Sequence, residues 1–116
     1  MTSTRADLAF FAQLKILGSR RTPFAVKGGG HTLNPGFSST SGIQIALSRF
    51  NCTKVNAEDR TVEVGPGLTW DEVYDALSPT GMSVIGGRIP GVGVAGLTLG
   101  GSEFSGRPIA HDLRCL

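Results

Sequence analysis

The sequence predicts an α+β layer, and three observations carry that expectation. Two stretches space their apolar residues as helices do, several apolar runs between them are too short for anything but strands, and helix and strand signals alternate along the chain. At 116 residues there is room for one domain at most.

Residues from about Thr4 to Leu17 read as a helix, with Ser3 or Thr4 as its cap, Phe10, Leu14 and Leu17 at helical spacing and Gly18 as the stop. Its polar face is thin, broken only by Asp7, Gln13 and Lys15, so this helix expects cover on more than one side. Pro23 to Val26 then makes a short strand that delivers Lys27 and three consecutive glycines. A polar loop from Thr32 to Gly42 leads to Ile43–Leu47, a half-buried strand by its alternation. Lys54-Val55, a turn at Asn56 to Arg60, and Thr61–Val64 form a hairpin that ends at Gly65-Pro66-Gly67.

The second helix carries the clearest local signal. Thr69-Trp70-Asp71-Glu72 matches a capping box, Leu68 and Val73 occupy the two staple positions, and Trp70, Val73, Tyr74 and Leu77 make the apolar face. Trp70 and Tyr74 are read as packing residues. Ser78-Pro79-Thr80-Gly81 ends the helix, Met82 to Ile85 is expected as another short strand, and a glycine-rich segment begins at Gly86.

Composition narrows the function. The net charge of +2 is weak and the eleven Lys and Arg are scattered, so the basic face that nucleic acid requires is missing; Arg20-Arg21 and Lys27 are the candidates for an anion site. No apolar run approaches the roughly 18 residues of a membrane span, and the N-terminal residues lack the order of a signal peptide, so the chain as written is expected in the cytosol. Cys52 and Cys115 make neither a metal site nor a disulfide framework. Asn51-Cys52-Thr53 fits the glycosylation sequon, which matters only in a secreted chain.

The chemistry concentrates in the glycines: Lys27-Gly28-Gly29-Gly30-His31-Thr32, and later Gly86-Gly87, Gly91-Val92-Gly93, Gly96-Leu97 and Gly100-Gly101. Glycines after a strand let main-chain N–H groups converge into a nest that holds phosphate oxygens, and Lys27 can add a point charge beside it. A flexible turn is the plainer alternative for one such cluster. The spacing is not that of a P-loop, and Pro90, together with the missing acidic residue about twenty positions on, argues against a Rossmann fingerprint.

Taken in order, Phe24–Thr32, Gly42–Asn51 with Leu47-Ser48-Arg49, Val62–Gly67 and Gly86–Gly101 resemble the flavin-binding half of the vanillyl-alcohol oxidase / p-cresol methylhydroxylase (PCMH-type) superfamily. Within it the chain is most similar to the berberine bridge enzyme-like FAD-linked oxidases of fungal and plant secondary metabolism. The resemblance implies the N-terminal part of a PCMH-type FAD-binding domain, with small mixed and parallel sheets flanked by helices. It also implies FAD as cofactor, a small-molecule substrate in full-length relatives, and no nucleic-acid or membrane partner.

Carried over residue by residue, the resemblance puts Lys27, Gly28, Gly29, Gly30, His31 and Thr32 at the FAD pyrophosphate. His31 is the residue that many members bond covalently to a methyl carbon of the flavin ring; a noncovalent imidazole is the alternative. Gly86, Gly87, Pro90, Gly91, Val92, Gly93, Gly96, Leu97, Gly100 and Gly101 are expected along the ring and ribityl chain, with main-chain N–H groups toward the ring oxygens and N5. Val92, Val94, Leu97 and Leu99 are expected to anchor those glycines in the core. Ile89 stands before Pro90 where some members carry a second, cysteine link, so one attachment at most is expected.

The likeness runs from about residue 4 to 107, read as a partial FAD-binding domain, and is lost over 108–116, a divergent tail in which His111 belongs to no motif. Relatives, often secreted, continue into a substrate domain that supplies the catalytic base, and no catalytic residue is identified here. The expectation is a truncated product. It is an FAD-binding fragment of an oxidase that moves a hydride from an activated C–H bond to flavin N5 and on to dioxygen, or else a non-catalytic remnant or a small anion- or nucleotide-binding module.

Overall fold

The computed structural model describes residues 5–101. In chain order the elements are α1 (Arg5–Ser19), β1 (Phe24–Lys27), β2 (Ile43–Ala46), β3 (Thr53–Asn56), β4 (Thr61–Val64), α2 (Trp70–Leu77), a 3₁₀ turn (Ser78–Thr80) and α3 (Val94–Leu99). The α+β expectation holds. The strands form two two-stranded sheets, β1 parallel to β2 and β3 antiparallel to β4.

α1 runs through Gly18 instead of stopping there. The chain reverses at Arg21, whose φ of 49° is left-handed, while Thr22 N–H returns to the Leu17 carbonyl at 3.1 Å and Arg21 N–H to Gly18 at 3.2 Å. These bonds take up carbonyls that the helix end leaves open. β1 and β2 pair from Phe24↔Ile43 to Lys27↔Ala46, and bonds at either end, Ile43 N–H to Pro23 O and Leu47 N–H to Lys27 O, extend the ladder. The 28–42 connection makes the parallel crossover without a helix, so the first glycine loop emerges directly from a strand end.

The hairpin turns on Asn56, whose side-chain oxygen accepts from Glu58 N–H at 3.1 Å and whose amide donates to Asp59 at 2.6 Å. β3 and β4 face each other with Lys54 opposite Glu63, an exposed ion pair at 3.6 Å worth little in water. The capping box of α2 forms as the sequence indicates: Glu72 N–H donates to the Thr69 hydroxyl, and Thr69 N–H donates to the Glu72 carboxylate at 2.7 Å.

The segment after α2 also departs from the sequence expectation. Met82–Ile85 forms no strand, because neither two-stranded sheet extends to it and an extended segment needs a ladder partner to become one. The glycine-rich stretch also hides a helix, α3, started at Gly93 and closed where Gly100 N–H reaches the Gly96 carbonyl at 2.9 Å. Three apolar residues at 94, 97 and 99 among glycines gave too little period to show it.

The core gathers Val64, Leu68, Trp70, Val73, Leu77 and Val94, with Val62, Tyr74, Val84, Val92 and Leu97 packed around them. Val73 and Val94 are wholly buried. Leu99, expected in this core, is instead 84 % exposed, because α3 turns that side outward. Ahead of β3, Leu17 and Ile45 are buried and Phe10 stacks edge-on with Phe50, ring centres 5.9 Å apart, but much apolar surface of α1 and β1 stays open. Among the described residues no helix is long and apolar enough to cross a membrane, and no cluster of His, Cys, Asp or Glu could hold a metal.

Candidate functional site

The two glycine clusters singled out in the sequence meet in space. A Cβ placed on Gly29 would lie 2.8 Å from both the nitrogen and the Cα of Gly93, and one on Gly93 would lie 2.5 Å from Gly29 N. Real side chains never approach backbone so closely, so glycine is required at both positions for the loops to touch. Their bareness serves the contact between loops first. Gly28 belongs to the same seam: its Cβ position lies 3.4 Å from the Ala95 methyl and 3.6 Å from the Pro66 carbonyl.

That last contact brings in a third loop. Gly65-Pro66-Gly67 is tied back to the β2–β3 connection by Gly65 N–H to Cys52 O at 2.8 Å and Gly67 N–H to Phe50 O at 2.9 Å. In the sequence this loop lies in the Val62–Gly67 segment of the resemblance, without an assigned role in the site.

His31 closes the first loop and is exposed, with its Cδ2 edge 3.6 Å from where a Cβ on Gly91 would stand. Lys27 ends β1 half-buried and lays its side chain over Gly30, whose φ of 72° only glycine adopts without strain; a Cβ there would sit 2.6 Å from Lys27 Cε. Thr32 is exposed and its hydroxyl accepts from Asn34 N–H at 3.2 Å. So Lys27, Gly28–Gly30, His31, Gly91 and Gly93 come together, with exposed main chain at Gly29, Gly30 and Gly91.

The remaining candidates sit differently. Gly86 and Gly87 are buried beneath the Trp70 indole, and a Cβ on either would run into that ring; one on Gly87 would also meet Leu97. Pro90 is exposed, and Val92 and Leu97 pack half-buried on the core. Gly96 is exposed on α3 with open space about it, Gly100 closes that helix, and Gly101 follows with φ of 70°. Of the sequence features beyond these, His111, Cys115 and the 108–116 tail lie outside the described residues.

The start of α2 holds the second glycine segment in place. Trp70 N–H donates to Val92 O at 2.9 Å and Val94 N–H donates to Leu68 O at 2.9 Å, pairing Thr69 with Gly93 as an isolated antiparallel bridge. Asp71 accepts from Gly91 N–H at 2.6 Å and the Tyr74 hydroxyl donates to Gly87 O at 2.9 Å. Burial raises the Tyr74 pKa and the nearby Asp71 charge adds to this, while a backbone hydrogen bond at Gly86 works the other way. The phenol therefore stays protonated and able to donate at neutral pH.

Clefts lie elsewhere as well. Two adjoining ones of about 440 and 480 Å³ run between α1 and β2, sharing Gln13, Ile45, Ala46 and Arg49, and one of about 390 Å³ lies along the β3–β4 hairpin. They are wide open and bring no cluster of reactive groups together, so the glycine seam is the better candidate.

The chain is similar to known proteins along most of its length. The chain is 42 % identical over 90 residues to the FAD-dependent monooxygenase yanF of Aspergillus niger, covering 76 % of this chain and 16 % of that protein. It is 43 % identical over 107 residues to the FAD-dependent monooxygenase FUP4 of Fusarium proliferatum, covering 88 % of this chain and 20 % of the relative. An uncharacterized FAD-linked oxidoreductase of Arthroderma benhamiae is 43 % identical over 87 residues, 74 % of this chain and 17 % of its own. The chain thus spans about a fifth or less of the length of these relatives, and no solved structure matches it. The family model for the FAD binding domain matches residues 9–112, which includes every glycine of the seam, and the chain belongs to that FAD-binding-domain family.

Proposed function

We propose that the seam of residues 27–32 and 91–93 holds FAD for an FAD-linked oxidase, with residues 4–107 as the core of the binding unit. One observation carries the proposal: the exposed main chain of Gly29 and Gly30 adjoins His31, with the Lys27 side chain over Gly30 and Gly91 beside His31. A dinucleotide diphosphate suits that surface. Bare peptide N–H groups supply hydrogen bonds without a crowd of Cβ atoms, and one ammonium offsets part of the diphosphate charge.

FAD, when bound, supplies the acceptor for a hydride from an activated C–H bond, such as an alcohol or a carbon next to nitrogen, and a route for its electrons to dioxygen. This chain's own residues bind and orient. Lys27 and the amides of 28–32 hold the diphosphate end. The exposed main chain within 90–101 lies toward the ring, backed by the core side chains Val92, Val94 and Leu97 and by Gly86 and Gly87 packed beneath Trp70. His31 would hold the flavin, by a bond from an imidazole nitrogen to a ring methyl carbon or as a noncovalent imidazole against the ring. The substrate pocket and the catalytic base belong to other residues.

The test is a titration of the purified chain with FAD and, separately, with ADP, followed by acid precipitation. A yellow protein that prefers FAD to ADP is expected, with colour that stays in the precipitate and is released when His31 is changed to Ala. Colourless protein in excess FAD means a non-catalytic remnant. Equal affinity for ADP and FAD means a nucleotide- or anion-binding module.

A further inference from the structure

The second glycine loop has two ways to present its peptide groups, and one carboxylate chooses between them. Ile89–Val92 is a turn closed by Val92 N–H to Ile89 O at 3.4 Å, with Pro90 second and Gly91 third at φ of 80°, which is the arrangement of a type II turn. Proline at the second position suits a type I turn equally well. The two forms differ by reversal of the single peptide between Pro90 and Gly91. Reversal would turn the Pro90 carbonyl toward the place where Gly91 N–H now points.

That place is occupied by Asp71. Its Oδ2 accepts from Gly91 N–H at 2.6 Å, a short, charge-assisted bond spanning twenty residues of chain. Asp71 is half-buried in the first turn of α2, and α2 is anchored on the core through Trp70, Val73 and Leu77, so the carboxylate sits on rigid support. A carbonyl oxygen facing it would be repelled, where an N–H is held. The capping work at this helix end is done by Thr69 and Glu72 and does not need Asp71.

The peptide in question stands beside His31, since Gly91 is the residue that His31 Cδ2 approaches. We infer that Asp71 is a positioning residue which locks the Pro90–Gly91 peptide in one orientation, with its N–H turned away toward α2 and its carbonyl on the opposite side, and so sets the surface that FAD meets next to His31. The inference rests on the proposed FAD reading and adds to it a residue outside both glycine loops. It also means that the Gly91 N–H is not a donor to the cofactor; the donors of this loop come from elsewhere in it.

The experiment uses the 116-residue chain and its Asp71→Ala and Asp71→Asn variants, read in two ways. The first is the Gly91 amide resonance without cofactor. A charge-assisted bond holds it downfield in the unmodified chain; Asp71→Ala should move it upfield, and Asp71→Asn, which keeps a side-chain oxygen in place, should retain most of the shift. The second is the FAD dissociation constant, expected to rise about fivefold in Asp71→Ala and less than twofold in Asp71→Asn, with the thermal midpoints of the apoproteins close together.

An unmoved Gly91 resonance in Asp71→Ala overturns the lock. A moved resonance with unchanged FAD affinity overturns its role at the cofactor surface. If the unmodified chain takes no FAD, the functional reading fails, and with it this role; the amide resonance then decides whether Asp71 holds the turn.

Discussion

The two halves of the described chain bury their apolar residues to different degrees. From β4 to α3 the side chains close on one another, leaving Val73, Leu77 and Val94 at 2 % exposure or less. Around α1, β1 and β2 the apolar residues mostly face outward, with Leu8 61 %, Phe11 59 % and Val26 50 % exposed. α2 has a single apolar stripe and one partner surface to fill. α1 is apolar on most sides, and one small sheet covers only part of it. The lesson concerns the site, which lies where the halves meet: the loop after β1 hangs from the open half, and the loop before α3 from the closed one. The closed half acts as the template, and Gly29 against Gly93 is where the open half is registered onto it.

The largest expected effect tests the closed core. Leu77→Ala should lower stability by about 3 kcal/mol in urea unfolding, since its site is fully enclosed and a cavity would remain. Leu17→Ala, beside an open cleft, should cost less, about 2 kcal/mol. Equal losses would erase the distinction between the halves.

Next comes the seam. Gly29→Ala puts a methyl 2.8 Å from Gly93 backbone atoms that cannot swing aside, so about 2 kcal/mol of stability and most of the FAD affinity should be lost. Gly96→Ala is the control, with open space around its Cβ position and a helical backbone, and should stabilise by about 0.5 kcal/mol. A Gly29→Ala chain that titrates like the original would mean that the loops are not in contact.

Tyr74→Phe removes the bond to Gly87 O and should cost about 1 kcal/mol at neutral pH. Its pH dependence sharpens the point. The folded phenol holds its proton more tightly than the unfolded one, so its contribution is present below the unfolded pKa of about 10 and is lost as pH rises through the raised folded value. Stability of the original chain should therefore fall above about pH 10 more steeply than that of Tyr74→Phe. Parallel curves would show that the phenol carries no such linkage.

The smallest effect lies on the open half. Phe11→Ser, at an exposed position of α1, should change stability by under about 0.5 kcal/mol while reducing binding of an apolar dye. A large destabilisation would show that this face is packed.

Much of the fold was legible because it follows local rules. Thr69 and Glu72 announce the start of α2, Asn56 nucleates the hairpin turn, and Phe10, Leu14 and Leu17 mark the buried side of α1. Where the reading failed, the deciding contact was distant. Met82–Ile85 has strand composition but no ladder partner among the described residues. Leu99 continues an apolar spacing yet faces out, because the short α3 is oriented by Val94 and Leu97. Gly18 looked like a helix stop, but the reversal fell to Arg21.

The glycines divide the same way. By itself the sequence determined that the chain bends sharply at 28–30 and at 91–93 and that His31 and Lys27 flank the first bend, because backbone freedom and strand ends are properties of a few neighbouring residues. Only the tertiary structure decided that the bends touch at Gly29 and Gly93, that Pro66 and Ala95 wall the seam, and that Asp71 claims the Gly91 N–H. Those pairings join residues twenty or more positions apart, and their partners are set by where the folded chain carries each loop, which no local pattern records.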